Sequence, residues 1–483
     1  MPSFLFRLFY LILPLVLLGV MTSCEEGELL ENQPPETRIF LESIRLDGQD
    51  RLSTIVELFW SGEDVDGFVI GFDLSLDGNN WSRVTQTDST FRFVIEKGQD
   101  TTDISFFIRA VDNLETVDPS PAFLSVPIKN TAPSVSLDES LNLQGDVLPV
   151  FSVRWTVEDL DGFETLDSVF IKLNDAPWVS ISPDITLLTL KAEDPSQPGS
   201  QSAVIRTSFE GEAFDKTLPG LMVEGDNQFY VQARDISGSL SPIDTSEVFR
   251  VQRKTGDLLV VDSHRTNEVD NILFPNIRSA YGAFDYLDVD TQVPTFMEPT
   301  FRLILEEYDQ VFWYGDGTER SEYSERLFLD FAAPQIQQYL NQGGKIWMSS
   351  SFPSTYAVSE TANTSLVFGY SPMDTLSTAG GQARLLRDIS IPASTPNFPT
   401  LNTSAIISSA DPFHPKNPAD VLYEADIRAV GGWVGPSAIA AKSVFSNGQT
   451  NQIFFSIELH QLSGDSVAFR ALFDQVFQQE FNW

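Results

Sequence analysis

One phrase of nine residues occurs twice, and it limits what this chain can fold into. Trp60-Ser61-Gly62-Glu63-Asp64-Val65-Asp66-Gly67-Phe68 returns as Trp155-Thr156-Val157-Glu158-Asp159-Leu160-Asp161-Gly162-Phe163. Trp, Glu-Asp, Asp-Gly and Phe recur in register, the mark of a duplicated structural module. Each copy is answered downstream by a second phrase, Phe106-Phe107-Ile108-Arg109-Ala110-Val111-Asp112 and then Phe229-Tyr230-Val231-Gln232-Ala233-Arg234-Asp235. The chain therefore holds two related modules, and from about residue 255 a third unit of another kind.

In the first module, short β-like runs cover 37–46, 54–60, 68–76, 91–95, 104–111 and 122–128. Turn signals part them at Asp47-Gly48, Asp66-Gly67 and Asp77-Gly78, and many short strands at such spacing predict a β-sandwich. The second module repeats the scheme at 151–157, 168–173, 227–233 and 247–251. It differs by an insertion centred on Glu193-Asp194-Pro195-Ser196-Gln197-Pro198-Gly199-Ser200, whose composition predicts an exposed loop. Trp60, the hairpin Leu76-Asp77-Gly78-Asn79-Asn80-Trp81 and the run Phe107–Asp112 resemble fibronectin type III and related immunoglobulin-like domains of bacterial surface proteins.

The repeated carboxylates invite a metal reading. Asp64 and Asp66 fall between the second and third strands and Asp112 ends the penultimate one, loops that share one end of such a sandwich. Asp159, Asp161 and Asp235 reproduce the set, so Ca²⁺, which takes oxygen ligands, is a possible occupant of both modules. The simpler expectation is that each Asp caps its own turn and each Gly supplies a positive φ.

The third unit changes period. Leu258-Leu259-Val260-Val261-Asp262 is a continuous apolar run, as expected of a strand buried on both faces. Further strands are expected at 284–289, 310–314, 345–349, 439–445 and 453–457, with helices at 334–341, stopped by Gly343-Gly344, and 465–477. Alternation of this kind predicts a mostly parallel, doubly wound α/β sheet of flavodoxin-like type. Tyr308–Tyr314, Tyr339–Ser349 and Phe454-Phe455-Ser456-Ile457-Glu458-Leu459-His460 resemble the class I glutamine-amidotransferase-like fold, including its trehalose-utilisation-protein-like branch.

That resemblance implies a nucleophile on the turn after a central strand, here Ser349-Ser350-Ser351-Phe352-Pro353. No cysteine and no flanking glycine is present there, which leaves Ser350, with Glu458 and His460, as the candidate catalytic set. In open α/β sheets ligands bind beyond the carboxyl ends of the strands, which places Asp262, His264, Tyr314, Asp316, Ser350 and His460 near one crevice. The reading for this unit is binding of a ligand or partner, carbohydrate or protein, without turnover and without a cofactor. A serine hydrolase using Ser350 and His460 is the alternative, and a structural part of an envelope complex is the third.

The N-terminus supplies the location. One positive charge in residues 1–7 precedes an apolar run at 8–20 that is short for a membrane span. Met21-Thr22-Ser23-Cys24 then resembles the lipobox of bacterial lipoproteins, and Cys24 is the chain's one cysteine. Glu25, Glu26 and Glu28 resemble the acidic export tag of surface lipoproteins in Bacteroidetes-type bacteria. The expected protein is held to the envelope, at the outer membrane, through lipid on Cys24. A net charge of −38 without any Lys/Arg cluster argues against nucleic acid as a partner. The expected division is a leader at 1–24, a linker at 25–35, sandwiches at 36–130 and 131–254, and the α/β unit at 255–483.

Overall fold

A computed structural model describes residues 31–482, apart from 42–53, 97, 139–142, 144, 267, 294–298, 322–325, 354–364, 377–380 and 418–419. The leader, Cys24, the acidic stretch after it and the Asp47-Gly48 turn lie outside the described residues. No helix among the described residues is long and apolar enough to cross a membrane. The chain forms two compact units, one of residues 1–131 with the turn Leu160–Thr165, the other of Ala132–Asp159 with 166–483.

The first unit is a sandwich of two antiparallel sheets. Glu36–Leu41, Ile55–Glu63 and Asp88–Arg92 make one; Ser82–Val84, Val69–Ser75, Thr101–Asp112 and Ala122–Lys129 make the other, in that order across each sheet. Alternation along the strands turns Val56, Leu58 and Trp60 from one sheet towards Phe106, Ile108 and Ala110 of the other, all buried. Trp60 meets Phe72 edge-on and donates Nε1–H to the Gln86 carbonyl at 2.8 Å.

The second sandwich, in the other unit, carries the insertion as structure rather than as a loop. Of the stretch 193–200, residues 193–198 form a bend, and Gly199 already begins a strand. Gly199–Thr207 and Glu212–Val223 form a long hairpin that extends the sheet beyond Leu187–Ala192. Ala203, Ile205, Leu218 and Leu221 bury their side chains completely on its inner face. The Pro-Ser-Gln-Pro composition marks the bend, while the alternation on either side of it makes the strands.

The α/β part continues from this sandwich. Leu258–Ser263 lies between Asp285–Asp288 and Gln310–Gly315, followed outward by Lys345–Ser350 and Thr450–Phe455, all parallel. Beyond Thr450–Phe455 the pairing turns antiparallel, through Ala438–Val444, Phe413–Pro415 and Met373–Leu376. The expectation of a mostly parallel sheet is thus corrected to a sheet parallel on one side and antiparallel on the other. The cause is local: Gly448, at φ +83°, closes a tight hairpin between Ala438–Val444 and Thr450–Phe455, which pairs them antiparallel.

Both faces of this sheet are covered. Leu259, Val261, Trp313 and Met348 pack with helices Thr300–Leu305 and Ala333–Asn341. Leu258, Val260, Phe312 and Trp347 pack on the opposite face with Asp270–Ala280 and Ser466–Asp474. Asp465 caps the last helix by accepting from the amides of Val467 and Ala468. Leu148 and Val150 of the sandwich join the first of these cores. Arg302 Nη2 donates to the Glu210 carbonyl and Gln292 Nε2 to that of Asp146, each at 2.9 Å, and Lys191 pairs with Glu307. The second sandwich and the α/β part therefore share a core rather than meeting as separate modules.

Candidate functional site

The order of the parallel strands, second-first-third-fourth-fifth in chain sequence, puts a switch point between Leu258–Ser263 and Gln310–Gly315. On leaving that point one connection runs to each side of the sheet, so a crevice opens between the strand ends. His264 follows the first strand, and Gly315-Asp316-Gly317 ends the third. A Cβ on Gly315 would fall 2.2 Å from Ser263 Oγ, and one on Gly317 2.8 Å from the Phe352 backbone, so glycine there lets the neighbouring strand ends close up. Glu458 and His460 arrive from the fifth strand, His460 on the 3₁₀ turn Leu459–Leu462.

These positions bring two imidazoles to one carboxylate. His264 Nε2 lies 3.3 Å from Glu458 Oε2, and His460 Nε2 lies 3.7 Å from the same oxygen. The two rings stand edge to face at 5.8 Å. Glu458 Oε1 accepts the Ser351 hydroxyl at 2.9 Å, and Gln461 Nε2 reaches Oε2 at 3.3 Å. The side chains are 10% exposed for His264, 17% for Glu458 and 22% for His460, enough for a small solute to reach them. A pocket of about 380 Å³ lies beside Glu458, lined by Asp316, Thr318, Ser351, Ile407 and Gln461.

The electrostatics follow from this packing. Burial works to lower the proton affinity of His264, but the hydrogen bond and charge of Glu458, with Asp316 and Asp262 behind them, carry it above the ordinary imidazole value. Burial also depresses His460, the His264 charge adds to that, and Glu458 offsets only part, so His460 ends below. For Glu458, burial pushes upward, yet the bonds from His264 and Ser351 and the nearby imidazoles hold it below the usual carboxylate range. The Thr266 amide donates to His264 Nδ1 at 3.1 Å, which assigns the neutral ring its proton on Nε2, facing Glu458.

Of the residues expected to line the crevice, the structure brings His264 and His460 together through Glu458 and sets Asp316 at the pocket wall. The other three are placed differently. Asp262 is 2% exposed; it accepts the Tyr286 hydroxyl at 2.7 Å and the His264 amide at 2.8 Å, and so anchors the residue that does face the crevice. Tyr314 is as deeply buried and donates to Asp270 beneath the helix Asp270–Ala280. Ser350 turns its hydroxyl to the carbonyls of Ser351, at 2.9 Å, and Asp316, at 3.4 Å, so the expected Ser350–Glu458–His460 set is corrected: Ser351 is the serine on Glu458. One residue of register at the strand end makes the difference, because successive side chains leave on opposite sides.

Sequence reasoning passed over Thr266, Ser351 and Asp411. Asp411 accepts the Phe352 amide at 2.8 Å and so pins the loop that carries Ser351. An aspartate preceding Pro412 in a β-rich stretch is the one signal that pointed to it.

In the sandwiches the repeated Asp residues accept hydrogen bonds from backbone amides; Asp112 Oδ2 also takes the Asn32 side-chain amide at 2.5 Å, and Asp64 Oδ2 is buried with no hydrogen-bond partner among the described residues. Asp112 is completely buried and accepts the amides of Leu114 and Thr116 at 2.8 and 2.7 Å. Asp235 accepts that of Ser239 at 2.8 Å, the same spacing as Asp112 to Thr116. The second Asp of each phrase holds the segment that enters its module: Asp66 accepts the Gln33 amide at 3.0 Å and Asp161 that of Thr131 at 2.7 Å. Gly162 adopts φ +118° as expected, but Gly67 does not have a positive φ; a Cβ there would fall 2.5 Å from Asp64 Oδ2. Among the described residues, the only cluster whose ligand atoms all lie within 4.8 Å of one another is His264, Glu458 and His460, so Asp64, Asp66 and Asp112 form no such group.

No family model matches this sequence, and no curated protein does. Solved structures similar to parts of it are β-sandwich domains. The PKD1 domain of Vibrio anguillarum Epp is 12% identical with a TM-score of 0.16, covering 20% of this chain and 98% of that one. The fibronectin(III)-like modules of Clostridium thermocellum CbhA are 14% identical with a TM-score of 0.15, covering 44% and 94%. The central fibronectin-III array of RIM-binding protein is 14% identical with a TM-score of 0.14, covering 46% and 69%.

Proposed function

We propose that this chain is a bacterial cell-envelope lipoprotein, anchored at the outer membrane through lipid on Cys24, whose C-terminal unit binds a small polar ligand without turning it over. The observation that carries the binding reading is the His264–Glu458–His460 cluster beside a pocket, at the switch point of a sheet with helices on both faces. That strand order supports reading the unit as a doubly wound, flavodoxin-like domain, in keeping with the resemblance to the glutamine-amidotransferase-like fold. The sandwiches are read as fibronectin type III-like carriers of this unit. The lipobox-like Met21–Cys24 and the short apolar run before it support the anchor.

The hydrolase reading asks for a serine oriented by a histidine. Ser350 is engaged with carbonyls and Ser351 with a carboxylate, which favours binding over turnover. Three experiments test the proposal. A fluorophosphonate should leave both serines unlabelled; stoichiometric labelling that disappears in His460→Ala would replace binding by hydrolysis. A panel of mono- and oligosaccharides and short peptides, added with a chelator present, should move the imidazole NMR signals of His264 and His460 for at least one member and leave His414 in place. Metabolic labelling with a fatty acid should be lost in Cys24→Ala.

A further inference from the structure

Two imidazoles and a carboxylate around one point form a donor set with a chemical preference. Imidazole suits transition metals, while Ca²⁺ and Mg²⁺ favour all-oxygen sites. With bonds of roughly 2.0–2.1 Å to nitrogen and oxygen, neighbouring ligand atoms in a tetrahedral site stand roughly 3.3–3.4 Å apart. Glu458 Oε2 already stands 3.3 Å from His264 Nε2 and 3.7 Å from His460 Nε2. All three ligand atoms lie within 4.8 Å of one another. We propose that His264, Glu458 and His460 bind one divalent transition-metal ion, Zn²⁺ foremost, and leave a coordination position open towards the adjoining pocket. This deepens the binding reading above and rests on it: the open position would hold an oxygen of the ligand.

The surroundings are built as such a site requires. His264 and Glu458 leave the ends of two strands of the sheet and His460 the turn just after one of them, so little ordering remains to be done on binding. Outer contacts hold the ligands: Ser351 and Gln461 on Glu458, and Thr266 on His264. Without metal, His264 keeps its proton on Nε2. Binding at Nε2 requires that the proton move to Nδ1, where Thr266 Oγ1, 3.2 Å away, can accept it in place of the Thr266 amide contact. Solvent carries the proton between the two nitrogens, so the neutral ring neither gains nor loses one. The alternative of a bare acid–base pair leaves His460, 3.7 Å from the shared oxygen, without a role.

The test is titration of chelator-treated, full-length protein with ZnCl₂ by calorimetry, with CoCl₂ absorption as a second readout. One Zn²⁺ per chain and visible Co²⁺ bands of a four-coordinate site are expected. Both should be lost in His264→Ala and in His460→Ala and kept in His414→Ala. Glu458→Gln, which retains an oxygen for Ser351 and keeps the fold testable if a histidine variant fails to fold, should weaken Zn²⁺. Ser351→Ala should weaken it about tenfold. No Zn²⁺ heat in the parent protein, or undiminished heat in Glu458→Gln and the histidine variants, overturns the proposal. The ligand panel is run both with chelator and on Zn²⁺-loaded protein: imidazole shifts in the chelator arm without Zn²⁺ binding here would sink the metal and spare the crevice, whereas Zn²⁺ binding with no ligand shift in either arm would do the reverse.

Discussion

Ser351 donates its hydroxyl to Glu458 at 2.9 Å, while Ser350, one residue earlier, faces only carbonyl oxygens. The carboxylate is thereby divided in use: Oε1 is tied to the serine loop and Oε2 is left to two histidines. A serine held by a carboxylate is a positioned donor. A nucleophile needs an imidazole at its hydroxyl, and in this site the imidazoles lie on the far side of Glu458.

The first prediction concerns the two histidines without metal. In the presence of a chelator, His264 should titrate above the ordinary imidazole value and His460 below it. Glu458→Gln should lower both, because its charge supports the protonated ring in each case. His264 thus adds stability that is complete below the unfolded-state value and lost as pH rises through its folded value; His460 costs stability as pH falls below its unfolded-state value. Imidazole NMR titration resolves the two, and a Glu458→Gln protein with both values unmoved would refute the arrangement.

The second prediction compares the repeated tryptophans. Both are buried, but Trp60 donates to the Gln86 carbonyl whereas Trp155 Nε1 has no hydrogen-bond partner among the described residues. Phenylalanine removes the same donor from each, and in Trp60 that leaves a carbonyl without its bond. Trp60→Phe should therefore destabilise its unit by about 1 kcal/mol more than the cavity change alone. Trp155→Phe should show the cavity cost only, as read by calorimetric midpoints. Equal losses at the two sites would remove the distinction.

Much of this architecture was legible because it is local. The period-two alternation around Trp60 and Trp155 specifies sandwich strands, and the apolar run Leu258–Val261 specifies a strand covered on both faces. The hairpin of the second sandwich was not, since the Pro and Gly of its bend outweighed the alternation beside them. His264 and His460 could each be named from sequence, but their meeting could not. It depends on strand order across the sheet between positions 194 residues apart in the case of His264 and Glu458. The choice between Ser350 and Ser351 turns on where a strand stops, which composition does not encode.

The third prediction separates turn capping from Ca²⁺ in the sandwiches. Asp161 is buried and holds the Thr131 amide, while Asp66, its counterpart, is exposed on the Gln33 amide. Asp161→Ala should cost about 1–3 kcal/mol by orphaning a buried contact, and Asp66→Ala within about 0.5 kcal/mol. Melting with Ca²⁺ and with a chelator should coincide. A Ca²⁺-dependent rise in the midpoint that Asp66→Ala or Asp161→Ala abolishes would restore the metal reading.

The last prediction rests on Asp411, which the α/β unit buries beside the Ser351 loop. Burial raises its proton affinity most, the Phe352 amide opposes, and the Glu458 charge adds, so the carboxyl is pushed up to about 7 from an ordinary 3.8. Since the folded state holds the proton more tightly, the contribution is fully present below about pH 4. It is lost as pH rises towards 7, and above that a buried carboxylate remains. At about 1.4 kcal/mol per pH unit the loss is on the order of 4 kcal/mol. Asp411→Asn keeps an oxygen for the Phe352 amide and has no charge to bury, so it lacks this contribution to the loss over that window. Calorimetry at pH 5 and pH 8 should show the parent protein losing stability relative to Asp411→Asn as pH rises. Parallel behaviour of the two would mean that Asp411 stays ionised in the fold and that the loop is held by charge.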